Sequence, residues 1–327
     1  MRPGTQIAAL AVVMIIAIGT AVLPAMAGTE GTSTGSFNLG NAAPSVTRIY
    51  LSTANGDLIP QVHNWLVMDI SDANTLNDIN EVQVIIKTNT TSTSAPDSVT
   101  DKATFRWTPT GNWSLVGPAN STWGFDKIMS DVKPTDLGAT AGEWYLLFEP
   151  GKVARKSNTW DIYVKVTDKG GLTGDNISWG YTMDWYGEIS AENTSYSFGD
   201  IGLGDKNKTI STPSDHNIDV KTISNGNYKL SSKSGNWTKG SDKAVLDWDG
   251  TLDAGHFALK VDGSGSVDTF NYVNNSYEAV TDYSNVNAPT AEAGDIKEIY
   301  QWISVADSGL LPGTYSGTYY VQIADAA

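Results

Sequence analysis

The side chains best able to do chemistry in this sequence are carboxylates. Asp69, Asp72 and Asp78 crowd one short stretch, and Asp168 and Asp175 flank a later turn. Calcium takes roughly six to eight oxygen ligands, drawn from loop carboxylates and carbonyls. The group Asp69, Asp72 and Asp78 is therefore the candidate calcium site, and calcium is the only cofactor the sequence suggests. The commoner use of such aspartates is to cap turns through Asx hydrogen bonds, and the sequence leaves both roles open. Asp262, Ser264, Ser266 and Asp268 also space oxygens at every second residue, but the glycine and glutamate of an EF-hand loop are missing there.

Other chemistries find less support. His63, His216 and His256 stand far apart, and none has a partner at metal-ligand spacing. Neither H-E-x-x-H nor G-x-S-x-G occurs, and no cysteine exists to act as nucleophile or ligand. The sequence therefore predicts no catalytic residues and no enzyme. Asn-x-Ser/Thr occurs at Asn89, Asn112, Asn120, Asn176, Asn193, Asn207, Asn236 and Asn274. In an exported chain each is a candidate glycan acceptor. The 11 tryptophans are many for this length. Trp107, Trp144, Trp160 and Trp302 stand in apolar strand patterns and read as core. Trp113 and Trp123 lie in a Gly/Asn/Ser-rich stretch and are the candidates for stacking on sugar rings.

The elements that must position these residues read as β-strands. Val82, Val84 and Ile86 alternate with Glu81, Gln83 and Ile85, and Trp160, Ile162, Val164 and Val166 alternate with Asp161, Tyr163, Lys165 and Thr167. Phe257, Leu259 and Val261 repeat the pattern, and so does the run from Tyr315 to Ile323. Period two places one set of side chains in a core and the other in water. Gly- and Asn-rich turns such as Asn55-Gly56, Asn225-Gly226 and Pro312-Gly313 divide the runs. One short helical turn fits near Trp123–Val132. The expected class is all-β, with two tandem antiparallel β-sandwiches over 44–187 and 188–327.

The N-terminus reads as an export signal over 1–27. Arg2 precedes an apolar run, Pro24 breaks it, and Ala25-Met26-Ala27 forms a small-x-small cleavage site. Cleavage there would leave 300 of the 327 residues and no membrane anchor. The following Gly28 to Ala43 is rich in Gly, Ser, Thr and Asn and reads as a flexible arm. The formal charge of −15 argues against a nucleic-acid partner. An exported chain without cysteine fits a prokaryotic exterior.

The segment Val67-Met68-Asp69-Ile70-Ser71-Asp72-Ala73-Asn74-Thr75-Leu76-Asn77-Asp78-Ile79 looks like a strand running into a D-A-N-x-L-x-D corner. With Pro44-Ser45-Val46-Thr47 and the run Trp160 to Leu172, it resembles the immunoglobulin-like domains of archaeal and bacterial surface proteins. The second half, with Ile223 to Leu230 and Leu311-Pro312-Gly313-Thr314-Tyr315-Ser316-Gly317, resembles small secreted β-domains that end in a P-x-G-T-Y-x-G strand. The resemblance implies a fold and a cell-surface setting, not a specific activity, because sandwiches host many roles.

The expected function is a non-enzymatic, glycosylated structural or interaction protein of the cell surface: a coat, spacer or filament subunit. Its partners would be other surface proteins or further copies of itself, with Gly28 to Ala43 donating a strand to the next copy's open sheet edge. The alternatives are a glycan-binding adhesin anchored by Trp113 and Trp123, and a secreted accessory protein of a hydrolase.

Overall fold

A computed structural model describes residues 34–52, 57–131 and 133–326. The export signal, the first residues of the arm and the Asn55-Gly56 turn lie outside the described residues. Residues 34–40 carry no regular secondary structure, and the Phe37 and Leu39 side chains are 89% and 82% exposed.

Among the described residues the first sandwich is built from nine strands: β1 (Ser45–Ser52), β2 (Asn64–Ser71), β3 (Ile79–Thr88), β4 (Lys102–Thr108), β5 (Asn112–Gly117), β6 (Gly124–Phe125), β7 (Ala141–Glu149), β8 (Ser157–Asp168) and β9 (Thr173–Met183). They form two antiparallel sheets, ordered β1-β2-β7-β6 and β5-β4-β3-β8-β9. The alternation seen in sequence is what fills the gap between them. Val82, Val84 and Ile86 of β3 and Trp160, Ile162, Val164 and Val166 of β8 are fully buried in one core. Trp144 of β7 meets Trp107 of β4 edge to face, with ring centroids 5.6 Å apart. That contact ties one sheet to the other, and such pairs contribute about 1 kcal/mol beyond the area they bury.

Eleven strands follow: β10 (Gly187–Ala191), β11 (Lys208–Thr209), β12 (Asn217–Ser224), β13 (Tyr228–Ser234), β14 (Trp237–Lys239), β15 (Asp242–Asp247), β16 (His256–Asp262), β17 (Asn271–Tyr272), β18 (Glu278–Ala279), β19 (Asp295–Val305) and β20 (Tyr319–Asp325). The larger sheet runs β10-β12-β19-β16-β15-β14, with β11 on β19 and β17 on β16; the smaller is β18-β13-β20. Phe257, Leu259 and Val261 of β16 and Ile299 and Ile303 of β19 anchor this second core. The α-helix is absent from the described residues. Two 3-10 turns occur, at Leu76–Asp78 and Met129–Asp131, the latter inside the stretch where one turn was expected.

Three details depart from the sequence reading. β15 and β16 pair in parallel, so the second sandwich is not wholly antiparallel. The strand expected from Tyr315 starts at Tyr319 instead. Ser316 exchanges backbone hydrogen bonds of 2.9 and 3.0 Å with Thr238 in the other sheet, and the chain crosses sheets before β20. Gly317 permits that crossing, since a Cβ there would sit 2.0 Å from the Trp237 ring. The changeover between sandwiches falls between Met183 and Gly187, slightly before the expected 187/188 division, and Trp185 already packs on the second core.

Candidate functional site

Three places in the molecule gather groups able to bind something: an acidic corner, a joint between the sandwiches, and a groove in the second sandwich.

The acidic corner is where the chain leaves one sheet of the first sandwich, at the end of β2, and enters the other at β3. Asp72 shapes the turn. Its Oδ1 accepts the Asn74 N–H at 2.7 Å, and its carbonyl accepts the Thr75 N–H at 3.2 Å. Leu76 is buried and pins the turn to the core. This arrangement brings Asp72 and Asp78 beside Asp168, which ends β8, with one oxygen of each within 4.8 Å of the others. Asp168 Oδ1 accepts the Leu172 N–H at 2.8 Å and Oδ2 accepts an N–H of the Asn41 side chain at 2.8 Å. Asp72 and Asp168 are 2% and 1% exposed. Among the described residues none of the three takes part in an ion pair. Two unit charges at 4 Å repel by about 4 kcal/mol at an effective dielectric of about 20, so a fully ionised corner is under strong mutual repulsion.

Asp69, expected in this cluster, is not part of it. It stands on β2, facing Arg48 of β1 with Nε to Oδ2 at 2.7 Å, and Arg48 also reaches Glu143 at 3.2 Å. The reason is the two-residue side-chain period of a strand: Met68 and Ile70 are buried, so Asp69 between them is turned to the outer face, where Arg48 of the neighbouring strand meets it. Asp175 lies on β9, beside the Tyr163 hydroxyl. Asp168, treated in sequence as part of a separate turn, is the third member of the corner. The only signal for it was chain reversal at Gly170-Gly171, which does not say where the turn lands.

Trp113 and Trp123 are 2% and 3% exposed, and this corrects the expectation that they present a sugar-stacking face. Trp113 lies opposite Trp107 in the β4–β5 ladder, and Trp123 packs on Trp160 with its indole N–H on the Val99 carbonyl. A Gly/Asn/Ser-rich sequence around an indole says nothing about which sheet covers it. Trp179 and Trp248 are the indoles that face solvent. Of the sequons, Asn89, Asn120, Asn207 and Asn236 are exposed, while Asn112, Asn176, Asn193 and Asn274 are half-buried. The Asn176 Nδ2, the atom a glycan would join, donates to the Val46 carbonyl at 3.0 Å. The three histidines lie apart: His63 by Glu149, His216 on the Ile210 carbonyl, His256 by Asp247.

The joint is centred on Asn225, in the turn between β12 and β13. Its Nδ2 donates to the carbonyls of Ala154 at 2.9 Å and Asp184 at 2.7 Å, and its Oδ1 accepts the Tyr186 N–H at 2.7 Å. Its own carbonyl accepts the Lys156 N–H at 2.9 Å. Around it, Glu292 accepts from the Thr122 N–H and hydroxyl at 3.0 and 2.6 Å, and Lys156 meets Asp325 at 2.6 Å. Glu188 meets Lys152 at 2.9 Å and accepts the Tyr186 hydroxyl. Burial alone would raise the Glu188 carboxyl, but the hydrogen bonds from Tyr186 and Lys152 outweigh it and hold the group below its ordinary 4.5.

The groove, of about 1260 Å³, lies in the second sandwich and is lined by Ile189, Val220, Phe257, Tyr319 and Val321 among others. β20 forms one bank. It ends its sheet, pairing with β13 on one side and, among the described residues, with no strand on the other.

No protein-family model matches the chain, and no curated protein sequence matches it. A solved structure described as BspA_C_mut aligns at 11% identity and a TM-score of 0.23, over 87% of this chain and 95% of that one. The molecule is an all-β protein with sheets packed face to face.

Proposed function

We infer that the chain is a non-enzymatic structural and interaction protein of the cell exterior, a coat or filament subunit. The observation that carries the reading is the open edge of β20 beside an apolar groove. An unpaired edge over apolar side chains is a template for an added strand. The arm offers such a strand, because Phe37 and Leu39 alternate with polar residues and are exposed. Donation by one copy to the next would join subunits head to tail. The hydrogen-bonded joint supports a structural role, since Asn41–Ala327 form one compact unit. The export signal and the sequons support an extracellular, glycosylated product.

The test compares the chain beginning at Gly28 with one lacking Gly28 to Gly40, by light scattering and electron microscopy. Oligomers or filaments from the first and monomers from the second are expected, and Leu39→Asp should behave like the truncation. Monomers in every sample would remove strand donation. Intact mass and N-terminal analysis of product shaved from native cells tests location, cleavage and glycans together; a product found only inside the cell, with its leader, would end the extracellular reading.

A further inference from the structure

We propose that Asp72, Asp78 and Asp168 bind one calcium ion at the β2–β3 corner of the first sandwich. Two oxygens each about 2.4 Å from one ion are at most about 4.8 Å apart, and the three carboxylates offer oxygens within 4.8 Å of one another. The second observation is independent of the clustering. Asp72 Oδ2 is buried and takes no hydrogen bond, although the residue is 2% exposed. A buried ionised oxygen without a donor is costly, and such groups are normally paired or bound to a metal. The other Asp72 oxygen is committed to the Asn74 N–H, so the carboxylate is fixed in place with its second oxygen free for a cation.

The surroundings fit a hard cation held by oxygen. The Asp78 carboxylate makes no hydrogen bond or ion pair among the described residues. Lys169 follows Asp168 directly, yet its Nζ donates to the Asn77 carbonyl and leaves the carboxylates uncompensated. Calcium is favoured over magnesium because magnesium demands a near-ideal octahedron and gives up its waters reluctantly, whereas calcium accepts an irregular shell of carboxylate and carbonyl oxygens. The ion would also fix the start of the first sandwich. Asn41 donates to Asp168, and the Ala42 N–H donates to Asn74 Oδ1 at 2.7 Å, so Asn41 and Ala42 are tied to residues of the same corner.

The experiment uses the whole chain, titrated with calcium chloride by calorimetry and melted in calcium and in EDTA. One ion per chain is expected, with Tm higher by about 5 °C at a calcium concentration roughly 100 times Kd. Hydrogen exchange at the Ala42 amide should slow when calcium is present. Asp78→Asn removes no hydrogen bond and should fold normally, yet weaken calcium binding by about tenfold or more; Asp72→Asn should do the same. Asp69→Asn, outside the cluster, should keep the full response. An unchanged Tm in calcium and EDTA overturns the proposal, and so does an Asp78→Asn chain with undiminished affinity. The result is separable from subunit assembly, because the truncation Gly28 to Gly40 spares Asn41 and the whole corner.

Discussion

At the scale of single residues, Asn225 shows how a polar side chain can hold two bodies together. It stands in a turn of the second sandwich, where its amide satisfies backbone groups of the first sandwich and of the segment that links the two, and it is buried. Asn225→Ala would strand the carbonyls of Ala154 and Asp184 and the N–H of Tyr186. Leaving buried groups unpaired costs about 1–3 kcal/mol each, so a loss of about 3 kcal/mol in urea unfolding is expected. Trp144 is the comparable apolar residue. It fills the space between sheets against Trp107, and Trp144→Ala should cost about 3–5 kcal/mol. The same experiment at exposed Trp179 should change stability by less than about 0.5 kcal/mol.

Elements succeed or fail by how closely their backbones can approach. Where β9 passes the beginning of β1, a Cβ on Gly174 would lie 2.0 Å from the Pro44 carbonyl oxygen. Gly174→Ala should therefore push the start of β1 off β9. The expected sign is faster amide exchange at Ser45 and Val46 with the second sandwich unaffected. The β10 strand carries Glu188, whose depressed carboxyl makes the joint sensitive to acid. A group with a lowered folded value contributes its stability in full above the unfolded value of 4.5, and loses it as pH falls through the folded one. Glu188→Gln should thus be less stable than the parent at pH 7, with the gap closing as denaturation is repeated toward pH 3.

For the whole molecule, the joint decides whether two cores behave as one. The two hydrophobic clusters are separate in space, one from Val46 to Met183 and the other from Phe198 to Val305. Polar bonds across Asn225, Glu292 and Glu188 couple them. Scanning calorimetry of the parent should give a single transition, and Asn225→Ala should separate it into two. Two transitions in the parent would show that the sandwiches melt independently.

Alternating apolar residues determined the strands by themselves, because a pleated chain has only two faces and a side-chain period of two fixes which one meets the core. Val82, Val84 and Ile86, or Trp160 through Val166, were legible for that reason. Local pattern could not tell which distant strands become neighbours. That decision buried Trp113 and Trp123, turned Asp69 toward Arg48, and carried Asp168 from another hairpin to Asp72 and Asp78. It also made Asn225, an ordinary turn residue in sequence, the centre of the joint. Sites form from contacts between residues far apart in the chain, and only the packing of sheets sets those distances.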